Sequence, residues 1–575
     1  MDTAAREVPD AAWQAAANAS EVLGPESSLF AGVDPADFGL STLAVLARAA
    51  THPQQVGGAW LRFAAAIGRA WPNAVSRWLG SDAEQGAAAG RTDRRFADRT
   101  WADSPAHNAL LQAYFAGRRL ADDLLAAGHG EPVSDQKAEL AVHFALDALA
   151  PTNFLLTNPA ALKRAFETGG ASVLAGTRNF VDDLAHNGGR PRQVDTTPFE
   201  LGRNLAATPG QVVFRNDLIE LIQYAPQRKR VRAVPLLASP PWINKYYVMD
   251  LAPGRSFIEW AVQHRRTVFA ISYRNPDASM SDVTLDDYLV HGPSAALDVI
   301  ADITGSPKVD IVGLCLGGAL TAMLAAYLAG TGESRVGSLT LLNTLLDYSE
   351  PGVLGAFADA RTIARLDAAM ARTGVMSGTK MAATFDVLRA NDLIFNYVAS
   401  NWLMGQRPPA FDILAWNADS TRLPASMHSF YLRSLYERNL LARGELVLAG
   451  RPLSLADIKC DTYLVGAVND HIVPWASSYK ATGLLGGTVR YVLSSGGHIA
   501  GIVNPPGPKA WYQAGEHHPE QASQWRDAAE RHTGSWWEDW AAWSDSRAGH
   551  LIMSPPMGSE RFPALGSAPG DYVRG

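Results

Sequence analysis

The stretch Gly313-Leu314-Cys315-Leu316-Gly317-Gly318 decides the fold. It has the form G-x-S-x-G of a nucleophile elbow, with a thiol where the hydroxyl usually stands. Residues 309–312 ahead of it are apolar apart from Asp310 and short enough for a buried strand, and residues 319–328 behind it are rich in helix formers. Strand, tight turn and helix are the setting the motif requires, because the glycines let the backbone turn sharply and push the nucleophile out. The thiol carries its own message. A thiol that accepts an acyl group from a thioester makes another thioester, so the group stays activated for a second transfer. Cysteine here points to acyl transfer from a coenzyme A ester rather than to plain hydrolysis.

An elbow nucleophile needs a base to take its proton and an acid to orient that base, and in this architecture they follow in the order nucleophile, acid, histidine. The apolar run 462–465 leads into Gly466-Ala467-Val468-Asn469-Asp470-His471-Ile472-Val473-Pro474, and the run 489–493 leads into Ser494-Ser495-Gly496-Gly497-His498. Asp470 is therefore the candidate acid and His498 the candidate base. Their spacing of 28 residues leaves room for one helix and one strand. His471 adjoins the acid and is the competing imidazole, but it precedes a β-branched pair and Pro474, which suits a supporting position at the pocket. For the oxyanion hole, one donor is expected at the backbone N–H of Leu316. The second is expected in Ser239-Pro240-Pro241-Trp242-Ile243-Asn244-Lys245-Tyr246-Tyr247, after the run 233–238. The prolines have no N–H, which leaves Trp242 or Ile243, and Ile243 is taken as the donor.

Strand-like pieces at 212–214 and 220–224, and further short runs at 267–272 and 338–342, alternate with helical patterns. Such alternation indicates an α/β class protein, an α/β-hydrolase fold with a mostly parallel sheet and helices on both faces. Residues 201–575 form this catalytic region. Between about 350 and 450 the alternation lapses, and Phe385, Phe395, Tyr397, Trp402, Phe411, Trp416 and Tyr431 suggest an insertion covering the site as a cap. Residues 1–200 read as a mainly helical N-terminal domain, with apolar positions at helical spacing over 43–50, 59–70, 110–125 and 137–149. The polar, glycine-rich stretch Gly80 to Arg94 reads as an exposed loop, and no catalytic constellation stands out in this region.

Composition bounds the rest. At 575 residues, 47% hydrophobic and 19% charged, the chain suits a soluble globular protein with more than one domain. A net charge of −7 argues against nucleic acid as a partner. With two cysteines, Cys315 and Cys460, there is no disulfide framework, which suits a reducing cytoplasm. Cys460 has no elbow and reads as a small structural hydrophobe. The start Met1-Asp2-Thr3-Ala4-Ala5-Arg6-Glu7 lacks the features of a signal peptide. Residues 311–332 carry no charge over 22 positions, but they are the elbow strand and helix, so no integral membrane segment is expected.

Several motifs together resemble the polyhydroxyalkanoate synthases over most of the chain, most closely the single-subunit class I type. The carriers are the elbow, PPWINKYY from Pro240, SYRNPDAS from Ser272, NDHIVPW from Asn469 and GGHIAGIVNPP from Gly496. Weaker similarity runs through DRRFADRTW from Asp93, ELGRNLAATPGQVVFRN from Glu200 and GSWWEDW from Gly534. The resemblance implies an acyltransferase that polymerises (R)-3-hydroxyacyl-CoA, mainly 3-hydroxybutyryl-CoA, into polyester with release of coenzyme A. It implies that Cys315 carries the growing acyl chain as a thioester, with Asp470 and His498 at the matching acid and base positions. No cofactor or metal is expected, coenzyme A being part of the substrate. A cytoplasmic enzyme at the surface of a polyester storage granule is implied. Only Cys315 is a credible carrier within one chain, so a two-thiol scheme needs a second protomer and a homodimer is expected. Arg389, in the cap, is a guess for a contact to the phosphates of coenzyme A. The alternatives are a cysteine-dependent ester or thioester hydrolase of the same fold, and a non-catalytic granule scaffold, against which the complete triad argues.

Overall fold

The apolar runs around the elbow become the centre of an eleven-stranded mixed sheet in a computed structural model that describes residues 34–78 and 93–575. In chain order the strands are β1 (Gly210–Arg215), β2 (Ile219–Tyr224), β3 (Leu236–Ser239), β4 (Val268–Tyr273), β5 (Val309–Leu314), β6 (Val336–Leu342), β7 (Asp461–Ala467), β8 (Val489–Ser494), β9 (Trp511–Gly515), β10 (Glu530–Thr533) and β11 (Gly566–Ser567). Across the sheet they lie in the order β10-β9-β8-β7-β6-β5-β3-β4-β2-β1-β11. The stretch from β4 to β8 is parallel throughout. The flanking strands are antiparallel. This is an α/β-hydrolase fold, and the helix Leu316–Thr331 that follows β5 is buried along most of its length.

The central strands β3, β4 and β5 are buried at every position, as strands of a parallel sheet covered on both faces must be. One charge inside β5 tests that rule. Asp310 is buried, and it is tolerated because Arg266 Nη2 lies 2.6 Å from its Oδ2 and Ser338 Oγ donates to its Oδ1 at 2.8 Å. The strand expected at 233–238 begins later, at Leu236. Ala233 and Val234 instead donate their amides to the carbonyls of His550 and Ala548.

Contacts group the chain into two units, Met1–Asp195 with Thr379–Ala410, and Thr196–Gly378 with Phe411–Gly575. The first is helical among its described residues. Its helices Pro35–Ala50, Pro105–Ala127, Pro132–Ala148 and Pro159–Glu167 all begin on proline, whose fixed φ suits the first turn. Val45, Leu125 and Ala138 form one small core there, and Phe96, Trp101 and Leu111 another. The loop expected over Gly80 to Arg94 lies, as far as residue 92, outside the described residues, as does the N-terminal heptapeptide. No helix among the described residues is long and apolar enough to cross a membrane.

Residues 350–450, expected as one cap, fall in both units. Residues 379–410 belong with the N-terminal unit, where Asp386 takes Arg190 and Gln193, each at 3.0 Å, and Trp402 Nε1 donates to Asp183 at 2.8 Å. Of the aromatic residues ascribed to the cap, Phe385, Phe395, Tyr397 and Trp402 thus lie in one unit, and Phe411, Trp416 and Tyr431 in the other.

Candidate active site

Cys315 sits between β5 and the helix Leu316–Thr331, at φ 51° and ψ −114°. A positive φ outside glycine costs on the order of 1–3 kcal/mol and survives only where the surroundings enforce it. Here they do. The Cys315 amide donates to Leu342 O at 2.8 Å, and Thr344 Oγ1 donates to Cys315 O at 3.3 Å. The elbow glycines are dictated by contact. A Cβ on Gly317 would stand 2.3 Å from the carbonyl oxygens of Ser239 and Pro240, one on Gly318 would stand 2.1 Å from Thr344 Oγ1, and one on Gly313 would stand 2.5 Å from Gly318 Cα. The elbow is thus wedged between the ends of β3 and β6.

Asp470 and His498 stand on the turns after β7 and β8. His498 Nδ1 donates to Asp470 Oδ2 at 2.7 Å, which leaves Nε2 to serve the thiol. The other carboxylate oxygen accepts the amides of Ile472 at 2.9 Å and Val473 at 2.8 Å, so the Asp470 side chain, 0% exposed, is held by three donors. Burial by itself lowers the basicity of the His498 imidazole. Asp470 first, with Cys315 after it, outweighs burial and holds His498 well above its ordinary value. That coupling joins thiol, imidazole and carboxylate in one electrostatic unit.

The turns themselves are braced by groups that sequence reasoning missed. Asn343 Nδ2 donates to the main-chain oxygen of His498 at 2.6 Å, while its own amide donates to Val465 O. The Asn469 amide donates to Gly496 O at 2.8 Å, tying the acid's turn to the base's. Beyond His498, the indoles of Trp536 and Trp537 donate to the carbonyls of Gly501 and Ile502 at 2.8 and 2.9 Å. The only signal for Asn343 was a polar Asn-Thr pair directly after an apolar run.

Aromatic side chains lie near the sulfur. Tyr348 and Tyr431 are buried and Tyr436 is partly buried, and burial first, with the nearby Cys315 in addition, makes each phenol harder to ionise. Their rings meet one another, Tyr348 to Tyr436 at 4.8 Å and Tyr431 to Tyr436 at 5.4 Å, and Trp242 meets Tyr431 edge-on at 5.8 Å. Leu316 opens the helix after the elbow, so its amide is one of the first-turn donors that lack an intrahelical acceptor. Ile243 follows Trp242 in the loop after β3, whose first residues, Ser239 and Pro240, rest on the elbow.

The remaining expected residues are placed as follows. His471 lies on the Asp470 turn, partly buried, but the imidazole held by Asp470 is that of His498. Arg389 falls in the N-terminal unit with its guanidinium paired to Asp392, which leaves the guess of a phosphate contact without support. Cys460 lies just ahead of β7, its thiol pushed up to about 12 by burial first and by Asp310 and Asp461 in addition. Among the described residues no cluster of three or more His, Cys, Asp or Glu side chains is arranged to hold a metal ion.

Comparison with known proteins adds two family matches. Residues 92–261 match the family described as the poly-beta-hydroxybutyrate polymerase (PhaC) N-terminus, and residues 237–505 match the alpha/beta hydrolase fold. The chain is 41% identical over 509 residues to a poly(3-hydroxyalkanoate) polymerase of Methylorubrum extorquens, covering 88% of this chain and 84% of that protein. It is 41% identical over 490 residues to the poly(3-hydroxyalkanoate) polymerase subunit PhaC of Cupriavidus necator, covering 84% and 83%. To poly(3-hydroxyalkanoate) polymerase 1 of Ectopseudomonas oleovorans it is 40% identical over 484 residues, covering 84% and 86%.

Proposed function

The chain belongs to the poly(3-hydroxyalkanoate) polymerase family, and from that premise we propose that it polymerises (R)-3-hydroxyacyl-CoA, chiefly 3-hydroxybutyryl-CoA, through a thioester on Cys315. The observation that carries the reading is the link from the Cys315 sulfur through His498 to the buried carboxylate of Asp470. His498 Nε2 takes the thiol proton, and the sulfur attacks the carbonyl carbon of the substrate thioester. The electron pair of the C=O bond moves to oxygen, where the Leu316 amide helps to hold it. The carbonyl re-forms as the coenzyme A sulfur leaves, taking the proton from His498. In the next step His498 removes the proton of the 3-hydroxyl of an incoming acyl-CoA, whose oxygen attacks the Cys315 thioester. The acyl C–S bond breaks, and the Cys315 sulfur leaves and takes the proton back from His498. The lengthened chain, now on the coenzyme A ester, can acylate Cys315 again.

Water would end each cycle by hydrolysis. The enclosed tyrosines around Cys315 and the tryptophan packed on them favour transfer over hydrolysis, because they leave an apolar wall around the thioester. His471 takes a supporting place at the edge of this pocket. Coenzyme A enters and leaves as part of the substrate, and no separate cofactor is required. The same reading has the enzyme working in the cytoplasm as a homodimer at the surface of its insoluble product.

The test supplies 3-hydroxyacyl-CoA esters of increasing chain length and measures coenzyme A release and polymer together. Matched release and polymer growth, strongest with the four-carbon ester, is expected. Release accompanied by free hydroxy acid and no polymer would instead make the protein a cysteine hydrolase.

A further inference from the structure

The loop that follows β3 is held by one side chain from a distant part of the chain. Thr421, 6% exposed, accepts the Asn244 amide on Oγ1 at 2.8 Å, and the same hydroxyl donates to Trp242 O at 3.5 Å. The hydroxyl therefore brackets Ile243, gripping the residue before it by its carbonyl and the residue after it by its amide. Asn244 adopts φ 63°, a left-handed turn that asparagine tolerates better than most residues, so the loop reverses direction at the point where Thr421 holds it. The start of the loop rests on the elbow: the oxygens of Ser239 and Pro240 fill the space that a side chain on Gly317 would need.

The geometry fixes a direction. In a trans peptide the C=O and the N–H point to opposite sides. The Trp242 carbonyl faces Thr421, so the N–H of that same peptide, which is the Ile243 amide, points away from Thr421. The Asn244 amide is spent on Thr421, and Pro240 and Pro241 have none. Ile243 is thus the loop amide whose aim Thr421 controls. We propose that Thr421 is a positioning residue for acyl transfer, aiming the Ile243 N–H so that it joins the Leu316 N–H in holding the oxyanion formed when the Cys315 sulfur adds to a thioester carbonyl. This rests on the reading of Cys315 as the nucleophile. Thr421 touches neither sulfur nor substrate in this account; it acts through the loop.

Removing one preorganised oxyanion donor typically costs on the order of 10²–10³ in rate, and misaiming it costs less. Thr421→Val keeps the shape and removes the hydroxyl, whereas Thr421→Ser keeps the hydroxyl. Two readouts separate the oxyanion from the rest of the site: first-turnover release of coenzyme A from 3-hydroxybutyryl-CoA, and alkylation of Cys315 by iodoacetamide, which forms no oxyanion. The expected result is a fall in the acylation rate of about 10- to 100-fold for Thr421→Val. KM and the alkylation rate should stay within about twofold, and Thr421→Ser should recover to within about threefold of the parent, as an effect on transition-state stabilisation alone requires. Equal rates for Thr421→Val and the parent would overturn the proposal. So would equal loss in both variants, or a matching loss in alkylation, which would mark general damage. Failure of the polymerase reading shows up separately, as free hydroxy acid in place of polymer from the parent protein.

Discussion

Cys315 and Cys460 are the same side chain, both partly buried, and they stand in opposite surroundings. Cys315 stands where a strand ends and a helix begins, with the sulfur coupled to His498 and through it to Asp470. Cys460 precedes a strand, and its charged neighbours are Asp310, Asp461 and Lys308. The first two disfavour a thiolate, and burial disfavours it further. Neither residue type nor exposure makes a thiol reactive; its position relative to the sheet and the sign of its neighbours do.

The sharpest attack on this contrast is Cys315→Ala. It should lower coenzyme A release from 3-hydroxybutyryl-CoA by about 10⁴-fold or more, the scale seen when a triad nucleophile is lost. Retained release would mean that Cys460 or another group carries the acyl chain. Asp470→Asn comes next, since an amide there cannot hold His498 in the working tautomer. A loss of about 10²- to 10⁴-fold is expected, with the protein still folded by circular dichroism. A smaller step is Asn343→Ala, which frees the main-chain oxygen of His498. Bracing groups of this kind are worth about 10- to 100-fold, and the lower end is expected here, read as kcat with KM little changed.

The smallest effects belong to Cys460. Cys460→Ala should leave turnover within about twofold, because nothing in the proposed chemistry passes through it. Iodoacetamide at pH 8 should add one label to the folded protein, on Cys315, and a second only after unfolding, counted by mass spectrometry. The thiol also carries a pH signature. The folded protein keeps the Cys460 proton up to about 12, whereas an unfolded chain releases it near a pKa of about 8.5. Above that value the unfolded state binds fewer protons, so stability falls as pH rises toward 12, and Cys460→Ala should flatten that alkaline limb in denaturant melts.

The parallel heart of the sheet, and the turns that bring Asp470 to His498, were legible in the sequence for one reason. Fully buried strands need continuous apolar runs, and in this architecture the chemistry sits in the turns just past them. The edges were harder. Trp511–Gly515 and Glu530–Thr533 pair in antiparallel fashion at the rim, where partly exposed faces admit Gln513, Arg531 and His532, so no apolar run announces them. The insertion was hardest. Bulky residues at 379–410 and 411–450 look alike as composition, yet Asp386 and Trp402 pair with Arg190 and Asp183, and so belong to a different body from Tyr431. Partner identity over some 200 residues is not written in local pattern. Asn343 and Thr421 escaped for a related reason. Each matters for side-chain hydrogen bonds to a distant main chain, and a lone Asn or Thr in a turn has no pattern of its own.

The helix Trp536–Asp545 has a consequence in time. Its indoles anchor the turn that carries His498, and Trp540 Nε1 reaches Thr340 on β6 at 2.9 Å. Proteins are made from the N-terminus, so Cys315 and Asp470 leave the ribosome well before these tryptophans do. On the proposed chemistry, a chain still being synthesised has Cys315 in place but not the full support of His498. Acylation competence therefore arrives late in translation, when the helix Trp536–Asp545 has closed behind that turn.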